Sequence, residues 1–526
     1  MTEPETSILG STRGKNSGDA FCATNPATGE HLNTFYAPAS EAETERSAEL
    51  AEQASLRLAA LSGSEKGKFL RAIADGVDHI VEELVSIMTA ETGLPEPRVR
   101  GETGRTSGQL RMFADLVEEG SWVDARIDHA IPDRQPIPKP DIRSMLRPIG
   151  PVGVFCASNF PLAFSVAGGD TASAFAAGCP VIVKAHHAHP GTALAVGKVV
   201  QAAVASCGLP EGTFSLLYGG GRTVGQHLVR HPSLKAVGFT GSRSGGRALF
   251  DLAASRPEPI PVYAEMSSVN PIFLLPSALA DRGEQIAEGL LGSATLGVGQ
   301  FCTNPGIVLH DKGELGEKFK NDYAKLMGQS SAAPMLHSGI RDAYGQGVSS
   351  LSSRPQIEAL NDCGDDRGQG NCDAQAAVFA ADAAAFLSDE ALSEEIFGPS
   401  TLLVGCDGMD QMLEVARNLE GQLTATIFGS KEEIAAAEDL VAILETKAGR
   451  LLLNQFPTGV EVCQSIVHGG PYPATADGRS TSVGTAAILR FARPVCYQGF
   501  PDEHLPDELR DNNPLGINRL IDGDKA

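Results

Sequence analysis

Between residues 41 and 119 apolar residues recur at three- and four-residue steps, as in Phe69, Ile73, Val77, Ile80 and Leu84 of the stretch 64–92. That period predicts long amphipathic helices, and 64–92 reads as one of them. Residues 122–149 are rich in Pro, Asp and Arg and lack the helical period, so they predict an extended excursion. From 150 onward short apolar runs at 152–157, 180–185, 214–218, 234–240 and 260–265 alternate with helix-like intervals, close to βαβαβαβαβ. Near-continuous apolar strands separated by helices predict a parallel sheet covered on both faces, with ligands at the C-terminal strand edge. A second alternation follows, with strands expected at 271–275, 307–310, 376–380 and 401–404 around helices such as 281–296. The stretch after Pro494 is rich in Pro, Asp and Asn and is expected to wrap the surface.

At 526 residues and 42% apolar content the chain has room for two to four domains with sizeable cores. Apolar stretches break well before the ~18 residues a membrane helix needs, and the N-terminus has neither a basic nor a hydrophobic region. A cytoplasmic protein with no membrane partner is expected. Against 42 Lys and Arg stand 65 Asp and Glu, and the resulting charge of −23 repels nucleic acid over most of the surface. An anionic ligand therefore needs a local Arg or Lys pocket. Ten cysteines without a Cys-x-x-Cys pair suit neither a disulfide framework nor a zinc site. The cluster His186-His187-x-His189 lacks i,i+4 spacing and a nearby acid, so it reads as a polar loop and no metal is expected.

Candidate chemistry gathers at the predicted strand ends. Gly299-Gln300-Phe301-Cys302-Thr303-Asn304-Pro305-Gly306 frames one thiol in a turn between a small-residue helix and an apolar run, where a nucleophile meets substrate. Gly241-Ser242-Arg243-Ser244-Gly245 lies between a strand and a helix and reads as a pyrophosphate seat or a plain tight turn. Lys184 is either solvated or a partner of ribose hydroxyls. Glu265, among apolar neighbours, is either a strand cap or a general base whose pKa desolvation raises. Asn159 either caps a helix after Pro161 or donates to an oxyanion.

In this order, these residues resemble the aldehyde dehydrogenase superfamily across nearly the whole chain. The matching segments are Asn159-Phe160-Pro161, Gly178 to Lys184, Gly238-Phe239-Thr240-Gly241-Ser242, Glu265, Gly299 to Cys302, and Glu394-Glu395-Ile396-Phe397-Gly398-Pro399. The resemblance implies an α/β fold: a Rossmann-type parallel-sheet cofactor domain (1–121 and 150–265), a second α/β catalytic domain (266–475), a small β oligomerisation arm (122–149 and 476–500) and a C-terminal tail (501–526). It implies Cys302 as nucleophile, Glu265 as base and Asn159 as oxyanion donor. Lys184 and Glu395 would take ribose hydroxyls, Gly241, Ser242 and Gly245 the pyrophosphate, and Phe397 the nicotinamide side. Glu265-Met266-Ser267-Ser268-Val269-Asn270-Pro271 and His468-Gly469-Gly470-Pro471 depart from the common family pattern. Both look like the branch that holds α-ketoglutaric semialdehyde (2,5-dioxopentanoate) dehydrogenases and an NADP-dependent fatty aldehyde dehydrogenase, and His468 becomes a candidate neighbour of the thiol.

Three residues after Lys184, NAD-preferring members of the family carry a Glu that repels a 2′-phosphate; His187 stands there instead, and Arg243 adds a candidate phosphate partner. The cofactor is expected to be NADP or NAD, with NADP accepted. Arg105 resembles a tunnel-lining helix position and suits an anionic aldehyde, unless it is only a solvated surface residue. Phe160, Phe164 and Phe456 complete the expected substrate wall. The leading expectation is oxidation of α-ketoglutaric semialdehyde to 2-oxoglutarate through a thiohemiacetal and thioester. A fatty (aliphatic) aldehyde dehydrogenase is the first alternative, and a catalytically silent binding homologue is the alternative from another class. The arm implies a homodimer or homotetramer.

Overall fold

The computed structural model describes residues 3–16, 18–361 and 372–525. Four helices, Glu41–Ala59, Gly63–His79, Val81–Thr92 and Glu96–Glu119, form the lead-in. The expected single helix over 64–92 is broken at Ile80, which ends one helix and starts the next with φ −95° and ψ 17°. No Gly or Pro marks the break. The apolar stripe runs through it because Phe69, Ile73, Val77 and Leu84 all enter the same core.

The first sheet runs, in spatial order, Val262–Glu265, Ala236–Thr240, Val152–Phe155, Val181–Lys184, Phe214–Leu217, then Ile8–Leu9 and Thr12–Arg13. Its five long strands are parallel, as the apolar runs predict, and the N-terminal pair joins antiparallel at one edge. The chain leaves Val152–Phe155 toward one side and returns to Ala236–Thr240 on the other. That makes a switch point between these two strands, and a crevice opens at their C-terminal ends.

The second sheet has the order Glu358–Ala359, Ala377–Asp382, Ser400–Cys406, Ile307–Asp311, Ile272–Leu274, Gln422–Phe428 and Ala448–Leu453, parallel except at its first strand. The last two strands had no counterpart in the hydrophobic pattern. Gln422 and Thr424 alternate with apolar residues and are nevertheless buried, because Gln422 Oε1 accepts from Val269 N (2.8 Å) and Ser268 Oγ (2.9 Å) and Thr424 Oγ1 donates to Asn270 Oδ1 (3.0 Å). A buried strand carrying satisfied polar groups does not look apolar.

A third sheet pairs Ala492–Gln498 with Ile142–Pro148 and then Arg126–Asp128 and Leu520–Ile521. Leu505, Leu509 and Ile517 pack with Val123, Ile127 and Met145 into its own small core, so residues 505–521 fold into this sheet as well as crossing the surface. No helix among the described residues is long and apolar enough to cross a membrane. The nine described cysteines are free thiols; Cys363 lies outside the described residues.

Candidate active site

Cys302 sits where the first sheet's crevice meets the second sheet. The helix Pro276–Thr295 passes into a tight turn at Leu296–Gly299 in which Gly297, Val298 and Gly299 all have positive φ (56°, 57° and 65°). A β-branched residue in that region is strained, and such strain persists only where the surroundings impose it. Gly299 shows the constraint: a Cβ there would lie 2.3 Å from the Gly398 carbonyl carbon. The thiol turn and the Glu395–Phe397 loop thus press backbone against backbone. Beyond the thiol, Asn270 Nδ2 donates to the carbonyls of Cys302 and Asn304, each at 2.9 Å, and holds the turn from the other side.

Three reactive groups converge. Side-chain atoms of Cys302, Glu265 and His468 lie within 4.8 Å of one another. Glu265 ends the strand Val262–Glu265, and at 3% exposure it is no solvated strand cap. Its Oε1 lies 2.9 Å from His468 Nε2, and its Oε2 accepts from Ser482 Oγ at 2.9 Å. His468 Nε2 is also 3.4 Å from Cys302 Sγ, while its buried Nδ1 has no hydrogen-bond partner. The shorter contact to a carboxylate assigns the imidazole proton to Nε2, directed at Glu265.

Electrostatics correct one expectation. Burial pushes the Glu265 pKa up, but His468, the Cys302 thiol and Ser482 together outweigh burial and hold it below the usual carboxylate range. The Cys302 thiol is raised well above its ordinary value, first by burial and then by the Glu265 charge and hydrogen bond. At rest the pair is a thiol facing an ionised carboxylate.

Asn159 follows the strand Val152–Phe155 and is buried; its Nδ2 donates to Gln300 O at 3.1 Å, two residues before the thiol. It caps no helix, since the next helix begins at Gly169. Its loop is pinned by Glu102, a carboxylate inside the lead-in helix Glu96–Glu119. Glu102 Oε1 accepts from the backbone N–H of Leu162 (2.8 Å) and Ala163 (3.0 Å). Arg98 lies 3.3 Å from Glu102 and stacks over Phe160 and Phe301, 4.5 and 4.9 Å from their centroids. Phe160 meets Phe164 and Phe301 edge-on at 5.2 and 5.3 Å, which makes an aromatic wall beside the thiol. Phe456 stands apart from this wall. Its ring packs 5.1 Å from Phe428 and close over Gly289, in the core of the second sheet. Arg105, half-buried rather than solvated, donates to Val460 O and lies over Phe164 at 5.8 Å.

On the sheet side, Lys184 is 8% exposed and its ammonium has no hydrogen bond or ion pair among the described residues. Burial lowers its pKa. Ser242 caps the helix Arg243–Ala254 by accepting from Gly245 N at 3.2 Å, and both Gly241 and Gly245 lie against the Phe239 ring. Arg243, expected at a phosphate, is instead forked onto Glu420 at 2.7 and 2.9 Å on the surface. Glu395 Oε2 accepts from Ser267 Oγ at 2.8 Å, and burial raises its pKa to about 7. Phe397 and Glu395 line one cavity with Gly299 and Ser268.

His187 lies in the loop after Lys184, its ring 4.4 Å from His186 and 5.3 Å from His337 of the second lobe. The His186 and His337 Nδ1 atoms accept from Ala188 N (3.2 Å) and Ile340 N (3.4 Å). In neutral rings that puts the proton on Nε2. Burial lowers the pKa of all three rings, so they are neutral, with Nε2–H the remaining donor of His186 and of His337.

Glu102, Asn270, Ser482, Arg98 and Arg450 were not singled out from sequence. Glu102 carried one signal, an acid on the buried stripe of an otherwise regular helix.

A thiol, a paired buried carboxylate and an amide donor thus meet at the switch point of the first sheet. The sequence matches the aldehyde dehydrogenase family over residues 13–471, and the chain belongs to that family. It is 50% identical to alpha-ketoglutaric semialdehyde dehydrogenase 2 of Azospirillum brasilense over 517 residues, covering 98% of each chain. It is 43% identical to alpha-ketoglutaric semialdehyde dehydrogenase of Acinetobacter baylyi, covering 97% of this chain and 99% of that one. Among solved structures, lactaldehyde dehydrogenase of Escherichia coli superposes with a TM-score of 0.81 at 20% identity, over 94% of this chain and 99% of that one.

Proposed function

We propose that the protein oxidises α-ketoglutaric semialdehyde to 2-oxoglutarate with NADP or NAD. The observation that carries this reading is full-length similarity to two dehydrogenases named for that substrate, joined to an Arg105 at the aromatic wall that has no ion pair among the described residues.

A nicotinamide dinucleotide, when bound, accepts the hydride. Lys184, Ser242 and Glu395 are the residues to hold it, and the fit rests on the buried, partnerless ammonium of Lys184 and the small-residue turn at 241–245. His187 bears no charge that repels a 2′-phosphate, and the Nε2–H groups of His186 and His337 add donors beside it. NADP is therefore accepted.

The Cys302 thiol gives up its proton to solvent and its sulfur adds to the aldehyde carbon. Asn159 Nδ2, with the backbone N–H of Cys302, holds the oxyanion. After hydride departure a thioester remains on Cys302. Glu265, ionised, then activates water to release the acid. Asn159→Ala lowers kcat by ~10²–10³, the usual worth of an oxyanion donor, measured as initial rates at saturating aldehyde; an undiminished rate removes the assignment.

The test of function is initial rates of NADPH and NADH formation with α-ketoglutaric semialdehyde, pentanal and a long-chain aldehyde. A kcat/KM advantage for the semialdehyde, with turnover on NADP, is expected. The aromatic wall of Phe160, Phe164 and Phe301 favours a second reading, an aliphatic aldehyde. A long-chain advantage selects that one.

Assembly into a homodimer or homotetramer is supported by two open strand edges, Ala492–Gln498 and Ala448–Leu453, the latter with exposed Leu451 and Leu453.

A further inference from the structure

The loop after the strand Ala448–Leu453 is held by two arginines from different elements. Arg105, from the helix Glu96–Glu119, donates to Val460 O. Arg450, inside the strand, donates through Nη1 to Gly459 O at 3.0 Å and through Nη2 to Pro457 O at 2.6 Å. The two guanidiniums therefore meet on four consecutive residues, 457–460. Thr458 fixes that loop to the helix Pro276–Thr295 through a 2.6 Å hydroxyl contact with Ser293. Val460 packs with Ala157, Phe160 and Phe164, and Phe164 lies 6.1 Å from the His468 ring. The loop is thus a wall of the space leading to the thiol.

Neither arginine has an ion pair among the described residues, and the buried Nε of each lacks a hydrogen-bond partner. Carbonyls satisfy N–H groups but do not neutralise a charge. Arg143, Arg490 and Arg98 by contrast each face a carboxylate. Carbonyl-bound arginines occur elsewhere, at Arg256 and Arg519, but among the described residues only at 105 and 450 do two share one loop beside the site. Both lie within electrostatic reach of Cys302, and burial lowers both pKa values without discharging groups that stay protonated in proteins. Glu102 and Glu461, the acids nearest Arg105, form no ion pair with it. Two like charges, half out of water and without a direct ion pair among the described residues, are costly unless an anion joins them. A carboxylate offers lone pairs to two guanidiniums at once.

We propose that Arg450 is a substrate-binding residue that, with Arg105, clamps the terminal carboxylate of an anionic aldehyde while the loop 457–460 carries both. This rests on the semialdehyde reading above and adds a residue to it. The clamp also explains how a chain of net charge −23 draws an anion to a half-buried thiol.

The experiment compares wild type, Arg105→Leu, Arg450→Gln, Arg450→Lys and the 105/450 double variant. The substrates are α-ketoglutaric semialdehyde and pentanal, and the readout is the ratio of their kcat/KM values. Gln keeps an N–H donor for the loop and removes the charge; Lys keeps a cation and removes the fork. The ratio falls at least ~10-fold in Arg450→Gln, less in Arg450→Lys, and in the double variant by less than the product of the singles, because the two share one ligand. If Arg450 only props the loop, both substrates lose equally and the ratio stays at the wild-type value in the Gln and Lys variants alike, which overturns the clamp. Should the Gln variant fold poorly, the Lys variant carries the same comparison. A wild-type ratio near one overturns the semialdehyde reading itself, so the two failures are distinguishable.

Discussion

Replacing Cys302 with Ala takes aldehyde oxidation to background while the protein stays folded. No other group in the site can form the acyl intermediate: Glu265 is committed to His468 and Ser482, and His468 directs its proton at Glu265. The lost side chain is small and its backbone is held independently by Asn270, so the melting temperature changes little. The measurement is a rapid-mix trace of reduced cofactor with the acyl adduct followed by mass. Wild type gives a burst and an adduct on Cys302; the variant gives neither. Residual turnover within ~10-fold of wild type excludes Cys302 as nucleophile, and an unreactive wild type leaves the catalytically silent homologue. Because burial and Glu265 raise the thiol pKa, the wild-type acylation rate climbs as the medium becomes alkaline.

The parallel strands of the first sheet were legible because their runs are mostly apolar, and their ends carried most of the site in sequence order. What escaped did so for identifiable reasons. Gln422–Phe428 hid as a strand because its buried Gln422 and Thr424 are satisfied by Ser268, Val269 and Asn270, partners about 150 positions away. Arg450 sits in that same unread region. Phe456 looked like a tunnel residue by its place in the loop, but Gly289 leaves room for its ring against Phe428 and the core takes it. The rise expected for Glu265 from its apolar neighbours omitted His468 and Ser482, which approach from 203 and 217 residues downstream. Local sequence reports burial; it does not report which distant partner offsets it.

Replacing Glu265 with Gln separates the two halves of turnover. A general base contributes ~10²–10⁴, and that loss falls on thioester hydrolysis, so kcat drops by this factor while acyl-enzyme accumulates. The isosteric amide keeps one oxygen to accept from His468 Nε2 and turns its NH2 group toward Ser482 Oγ as a donor, so the shape is kept while the charge is lost. The pH profile supplies a second check. A carboxyl depressed in the folded state is ionised, and its stabilising contacts are present, above its unfolded pKa; both are lost as pH falls through the lower folded value. The acid limb of wild-type deacylation therefore lies below the ordinary carboxylate range, and in Glu265→Gln that limb disappears. A burst of wild-type size followed by an undiminished steady state would remove Glu265 from hydrolysis. An acid limb displaced above the ordinary range would instead show that burial outweighs the His468 and Ser482 contacts.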